Sequence, residues 1–149
     1  ANIGAVMASI SNKRTVISSR KIPIVADTLA NAVDYSKVKM IVLPGGRLGV
    51  DNLNKNEFVI QKCLEFAKDK KIAAICAAPS ILANLGLLNG KKATCHPDYK
   101  NKMSGTIVTN EKVTIDGNII TGYSLGCCFD FAFKIIKELN GTDAANIVL

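Results

Sequence analysis

Two short apolar runs constrain this chain more than any other feature. Lys39-Met40-Ile41-Val42-Leu43 and Ile72-Ala73-Ala74-Ile75 carry no alternation of polar and apolar residues. Runs of this kind read as parallel strands buried on both faces. Each stops abruptly, the first at Pro44-Gly45-Gly46 and the second at Cys76. Between them Phe58, Ile60, Cys63, Leu64, Phe66 and Ala67 recur near the helical period. Asn54 or Asn56 is positioned to cap that helix, and Lys68 to Lys71 closes it with the positive charge a helix C-terminus favours. Ala77 to Leu85 predicts a further helix, with Pro79 tolerated in its first turn and Gly86 near its end.

The flanking segments extend the alternation. Ile3 to Ser9, Thr15 to Ser18 and Ile22 to Val25 read as strands, and Asp27-Thr28 as the cap of a short helix reaching about Val33. Ala93-Thr94-Cys95 is a short strand, and Asp98 to Met103 one or two helical turns. Thr106 to Thr109, Val113 to Ile115 and Ile119 to Thr121 are strands, the last two joined by the hairpin signal Asp116-Gly117. A long helix opens near Ser124, runs through Phe129, Phe131, Ala132, Ile135, Ile136 and Leu139, and stops at Asn140-Gly141. Thr142 to Leu149 reads as a last short helix. Strands alternating with helices predict an α/β sandwich around a mostly parallel sheet. At 149 residues, with no linker or repeat, the chain reads as one domain.

Composition narrows the function classes. The net charge of +7 raises nucleic acid as a partner. The basic residues are scattered, however, with no aromatics between them and no Trp, so nucleic-acid binding is disfavoured. The longest uncharged stretch, Ile72 to Gly90, is broken by Pro79, Ser80, Asn84 and Gly86 and is too interrupted to span a bilayer. No basic segment precedes an apolar run at the start, so no signal peptide is read. Five cysteines with no CxxC pair and a single His argue against zinc and against a disulfide framework. No metal or organic cofactor is expected. Free thiols in a reducing cytoplasm are the expectation.

Open α/β sheets place ligands at the carboxyl ends of their strands. Cys76 sits there, on a strand-to-helix turn of the nucleophile-elbow type, near a helix N-terminus that favours thiolate. A buried, inert cysteine at a strand end is the other reading. Gly45-Gly46, ending the neighbouring strand, can turn amides toward Cys76 and, with the amide of Ala77, form an oxyanion hole. An ordinary strand-ending turn would look the same. Any Cys–His pairing must use His96, which otherwise is a loop residue before Pro97 that caps nothing. Cys127-Cys128 hints at redox chemistry, although packing at the helix start explains it as well; Cys63 and Cys95 read as core.

Taken together, Ile41-Val42-Leu43-Pro44-Gly45-Gly46, Ala73-Ala74-Ile75-Cys76-Ala77-Ala78-Pro79, His96-Pro97 with Lys100 and Lys102-Met103, and Phe129 to Gly141 resemble the ThiJ/PfpI superfamily, in the branch of the parkinsonism-associated deglycase. The resemblance implies a flavodoxin-like three-layer sandwich of the class I glutamine amidotransferase type, and a homodimer. It implies that Cys76 is an oxidisable nucleophile, that Gly46 and Ala77 offer amides to an oxyanion, that His96 lies near the sulfur, and that Arg20 lies near the dimer interface and the site. The activities it implies are glutathione-independent glyoxalase or deglycase chemistry on small α-oxoaldehydes or their glycation adducts. A non-catalytic redox sensor or redox-regulated chaperone is the alternative. Protease-like members have His after the cysteine; Ala77 stands there, which demotes proteolysis. The family also begins with one more strand–helix unit, roughly 30 residues in such motifs, whose Glu hydrogen-bonds the cysteine. The chain opens Ala1-Asn2-Ile3, and the expectation is that this unit is missing from it, as a separate N-terminal peptide of a nicked chain or a segment lying outside these 149 residues.

Overall fold

A computed structural model describes residues 1–148. They divide into two compact units, Asn2–Val38 and the residues from Lys39 onward.

In the first unit, β1 (Ala8–Ser9) pairs in parallel with β4 (Thr28–Leu29), and β2 (Thr15–Ile17) pairs antiparallel with β3 (Pro23–Val25). The strand expected over Ile3 to Ser9 is therefore only its last two residues. The helix expected after Asp27-Thr28 is also corrected. Thr28 and Leu29 are strand, and a single 3-10 turn follows at Ala30–Ala32. The Asp27 carboxylate does not cap it; it accepts from the Met7 N–H at 2.8 Å and so ties the two parallel strands together. Arg20 is exposed in the β2–β3 turn, where Lys21 takes a φ of 61°.

The second unit is built on a four-stranded sheet in the order β5 (Met40–Leu43), β6 (Lys71–Ile75), β10 (Ile119–Gly122), β9 (Val113–Asp116). The first two pairings are parallel, and the β9–β10 hairpin, turning at Asp116-Gly117, is antiparallel. A parallel pair, β7 (Lys92–Ala93) with β8 (Ile107–Val108), completes the strands. Among the described residues four α-helices accompany them: α1 (Arg47–Lys55), α2 (Glu57–Asp69), α3 (Pro79–Asn84) and α4 (Cys128–Asn146). The fold is mixed α/β with a mostly parallel sheet, as the apolar runs predict.

Strand alternation explains the burial. Ala73 and Ile120 pack with Phe131 of α4, with Met40, Ile75, Val113 and Ile135 around them. Their neighbours Ile72 and Ala74 point to the other face and are also fully buried, so β6 is covered on both sides. A Lys71–Glu138 ion pair at 2.7 Å fastens the start of β6 to α4. Polar groups beside β10 are paired: the Thr94 N–H donates to Thr121 Oγ1 at 2.9 Å, and Thr121 Oγ1 donates to the Thr114 carbonyl at 3.3 Å.

Asn56 is the residue that caps α2, its side chain accepting from the Val59 N–H at 3.1 Å. At the other end of α2, Asn118 Nδ2 reaches the carbonyls of Phe66, Ala67 and Lys70 at 3.4, 3.0 and 2.6 Å. The long helix begins with a 3-10 turn at Leu125–Cys127 and breaks at Gly141, whose φ of 85° is not helical. The Asn140-Gly141 stop thus falls where the sequence placed it. A short helical segment follows, of which Leu149 lies outside the described residues. Among the described residues, no helix is long and apolar enough to cross a membrane.

Candidate active site

Three strands of the second unit end side by side. β5 runs into Pro44-Gly45-Gly46, β6 into Cys76, and β10 closes at Gly122. Cys76 adopts a φ of 66°, a conformation a residue with a Cβ rarely takes. Three hydrogen bonds hold the turn. The Cys76 N–H donates to the Gly122 carbonyl at 2.9 Å, its carbonyl accepts from the His96 N–H at 2.8 Å, and the Ile75 carbonyl is taken by the Ala78 N–H at 3.1 Å. α3 starts immediately, with Pro79 in its first turn and Ser80 Oγ donating to the Ala77 carbonyl at 2.7 Å. Backbone strain at a strand-to-helix turn, over-determined by its surroundings, is the device by which a fold presents one side chain at a sheet end. Cys76 is half-buried, whereas Cys63, Cys95 and Cys127 are buried.

Gly45 is required for close approach. A Cβ there would lie 2.6 Å from the Cys76 Cβ, 2.9 Å from the Ile75 carbonyl oxygen and 3.3 Å from the Cys76 sulfur. Its neighbour Gly46 takes a φ of 93° and becomes the N-cap of α1. Among the described residues, the N–H groups of Gly45, Gly46 and Ala77 donate to no protein acceptor. The structure therefore sets Gly45 against Cys76, with Gly46 and Ala77 next to them in the chain.

His96 joins this cluster by its backbone. Its imidazole is used as a cap: Nδ1 accepts from the Asp98 N–H at 3.3 Å, at the start of the 3-10 turn Pro97–Lys102, and lies 3.8 Å from the Asp98 carboxylate. The reading that His96 caps nothing is thereby corrected. No hydrogen bond joins the imidazole to the Cys76 sulfur among the described residues. Lys100 Nζ donates to Asn110 Oδ1 at 2.7 Å. Arg20 belongs to the other unit. Among the described residues no group of three or more acidic, His or Cys side chains could hold a metal ion.

Two features were missed in the sequence. The residues after Gly46 form a full helix, α1, which carries Arg47 at its first position, 4.0 Å from Asp98. Cys95, read as core, is fully buried as expected, yet adjoins His96 and so the Cys76 turn. Burial pushes its thiol up to about 11, with Lys100 opposing and Cys76 adding to the rise. The Cys63 thiol is likewise pushed up to about 11, by burial alone.

The DJ-1/PfpI family model matches residues 1–138. Protein DJ-1alpha of Drosophila melanogaster is 40% identical over 147 residues, covering 95% of this chain and 67% of that protein. Protein DJ-1 homolog B of Arabidopsis thaliana is 33% identical over 145 residues; the match covers 96% of this chain but only 33% of that longer protein. Among solved structures, oxidized Toxoplasma gondii DJ-1 superposes with a TM-score of 0.89 at 28% identity, covering 96% of this chain and 79% of that one. An enzyme is also among the relatives: isonitrile hydratase of Pseudomonas putida, 33% identical over 122 residues, 77% of this chain and 51% of that protein. With a family model over almost its entire length and relatives of one branch aligned along it, this chain belongs to the DJ-1/PfpI family, in its DJ-1 branch.

Proposed function

We propose that the chain is a cysteine-dependent enzyme acting on small α-oxoaldehydes or their early glycation adducts, of the glutathione-independent glyoxalase or deglycase type. The observation that carries the reading is the Cys76 turn, with its φ of 66° and three unengaged amides at Gly45, Gly46 and Ala77 beside it. In methylglyoxal the aldehyde carbon accepts the Cys76 thiolate. The C–S bond forms, the carbonyl electron pair moves onto oxygen, and the Gly46 and Ala77 amides receive that charge. Moving the hydrogen of the former aldehyde carbon to the adjacent carbonyl carbon converts the hemithioacetal to a lactate thioester. Water then releases lactate and restores the thiol.

The proton carrier in this reading is a glutamate on a strand–helix unit outside residues 1–149, with His96 assisting. In support, β5 stands at the end of its sheet with Val42 50% exposed. The reading also includes a homodimer with Arg20 near its interface, a cytoplasmic location in which the five thiols stay reduced, and no metal or organic cofactor. Lactate formation from methylglyoxal tests it. Cys76→Ser should reduce turnover to background; undiminished activity would end the proposal.

A second reading is a redox sensor or redox-regulated chaperone, in which oxidation of the half-buried Cys76 changes partner binding. An enzyme-inactive chain that suppresses aggregation of a client only after peroxide treatment would favour it.

A further inference from the structure

We propose that Cys95 is the resolving thiol of Cys76, closing a disulfide once Cys76 has been oxidised to the sulfenic acid. The inference rests on the reading of Cys76 as an oxidisable nucleophile and adds a partner to it. The geometry is local. The N–H of the peptide joining Cys95 to His96 donates to the carbonyl of Cys76 at 2.8 Å. Standard bond lengths then place the two α-carbons within about 8 Å even at full extension, and closer as the chains bend. Disulfides usually span about 4.4–6.8 Å between α-carbons, so a small movement of one turn suffices.

The surroundings favour this pairing over any other. Thr94, immediately before Cys95, is fixed by its N–H to Thr121 Oγ1 at 2.9 Å, so the segment stays against the strand ends. Cys95 is fully buried, which keeps its thiol from bulk oxidant and reserves it for a neighbour. The two sulfurs also sense each other. Burial raises the Cys95 thiol most, Lys100 opposes it, and Cys76 adds a smaller rise. Cys63 is equally buried, but burial alone governs it, and no Cys76 influence reaches it. It is the internal control.

The chemistry balances with a hydroperoxide as oxidant. The Cys76 thiolate attacks the peroxide oxygen, giving Cys76 sulfenic acid and the alcohol, or water from hydrogen peroxide. The Cys95 sulfur then attacks the Cys76 sulfur, the S–S bond forms, and the sulfenic oxygen leaves as water with the Cys95 proton. A dithiol reductant returns both thiols. The consequence is protection: the disulfide diverts Cys76 from irreversible sulfinic acid.

The experiment exposes the full chain to hydrogen peroxide, denatures it, blocks the remaining thiols by alkylation, and maps a non-reducing digest by mass. The expected result is a Cys76–Cys95 linked peptide that dithiothreitol releases, with Cys63 alkylated throughout. Cys95→Ser should lose the link and accumulate Cys76 sulfinic acid at least several-fold faster. Sulfinic acid at Cys76 in the unmutated chain, with Cys95 still alkylated, overturns the inference and leaves the reactive Cys76 intact. A Cys76 that stays reduced while other cysteines oxidise overturns the site reading itself. The unmutated map decides even if the variant does not fold.

Discussion

Gly45→Ala is the substitution for which the structure sets the magnitude most directly. The new Cβ would lie 2.6 Å from the Cys76 Cβ, against an ordinary contact of at least 3.4 Å, so one of them must yield by about 0.8 Å. The Ile75 carbonyl, at 2.9 Å, blocks retreat on that side. Cys76 has little freedom to give way, because its N–H and carbonyl are both bonded, at 2.9 and 2.8 Å. Overpacking of this kind costs about 1–3 kcal/mol, and two obstacles fixed to the backbone place this case toward about 2–3. For a chain of this size that lowers the melting temperature by about 4–12 °C. A displacement near 1 Å at a reacting atom costs on the order of 100-fold in rate. Thermal melting and the rate of Cys76 alkylation by iodoacetamide read the two effects. Gly49→Ala is the matched control, since it lies within α1 and a Cβ there meets nothing within 4 Å. Unchanged melting together with unchanged alkylation in Gly45→Ala would refute the argument that this glycine exists to let β5 and the Cys76 turn meet.

Two further outcomes follow from the same site and core. Cys76→Gly should raise stability by about 1 kcal/mol, because glycine adopts the φ of 66° without strain, whereas Cys76→Ala should not; paired urea titrations compare them, and equal midpoints for the two would remove strain from the account. Stability should also fall as pH rises above the ordinary thiol value of 9.0 towards about 11, where Cys63 and Cys95 titrate in the folded chain. The unfolded chain releases these protons first, so the contribution is complete below 9.0 and is lost through the folded values, by at most about 1.4 kcal/mol per pH unit for each thiol. Urea midpoints between pH 8 and 11 measure the slope, which Cys63→Ala should roughly halve.

The parts of the fold legible in the sequence are those whose residues satisfy local and tertiary demands at once. Met40 to Leu43 and Ile72 to Ile75 are apolar throughout and became β5 and β6 within a residue or so; both faces of β6 are covered, whereas the expectation of a strand buried on both faces is corrected for β5, where Val42 is exposed. Asp116-Gly117 and Asn140-Gly141 carry turn chemistry that needs no tertiary support, and Gly117 and Gly141 take φ of 60° and 85°. Legibility failed where tertiary contacts override propensity. Arg47 to Lys55 contains Gly49, Asp51 and two asparagines, all poor helix formers, yet it is helical, with Val50 buried and Gly46 supplying the N-cap. Asp27-Thr28 looks like a helix cap, but its carboxylate is drawn to Met7, twenty residues earlier, a partner that no local pattern encodes.

The site divides along the same line. The Cys76 elbow was readable because a strand ends directly in one reactive residue and Pro79 opens a helix three residues on, so that chain order alone places the thiol at a sheet end. Gly45 was readable as a turn residue. Its closer role, leaving room for the Cys76 Cβ, depends on the parallel register that sets Leu43 beside Ala74. His96 shows the limit of reading side-chain types. Its identity suggests acid–base chemistry, yet in this fold its ring accepts the Asp98 amide while its backbone N–H holds the Cys76 carbonyl. Two separable roles follow from that split. A substitution that removes the ring but keeps the amide preserves the Cys76 turn, so any lost turnover in His96→Asn, a residue that can still cap, belongs to the ring's acid–base chemistry rather than to the shape of the elbow.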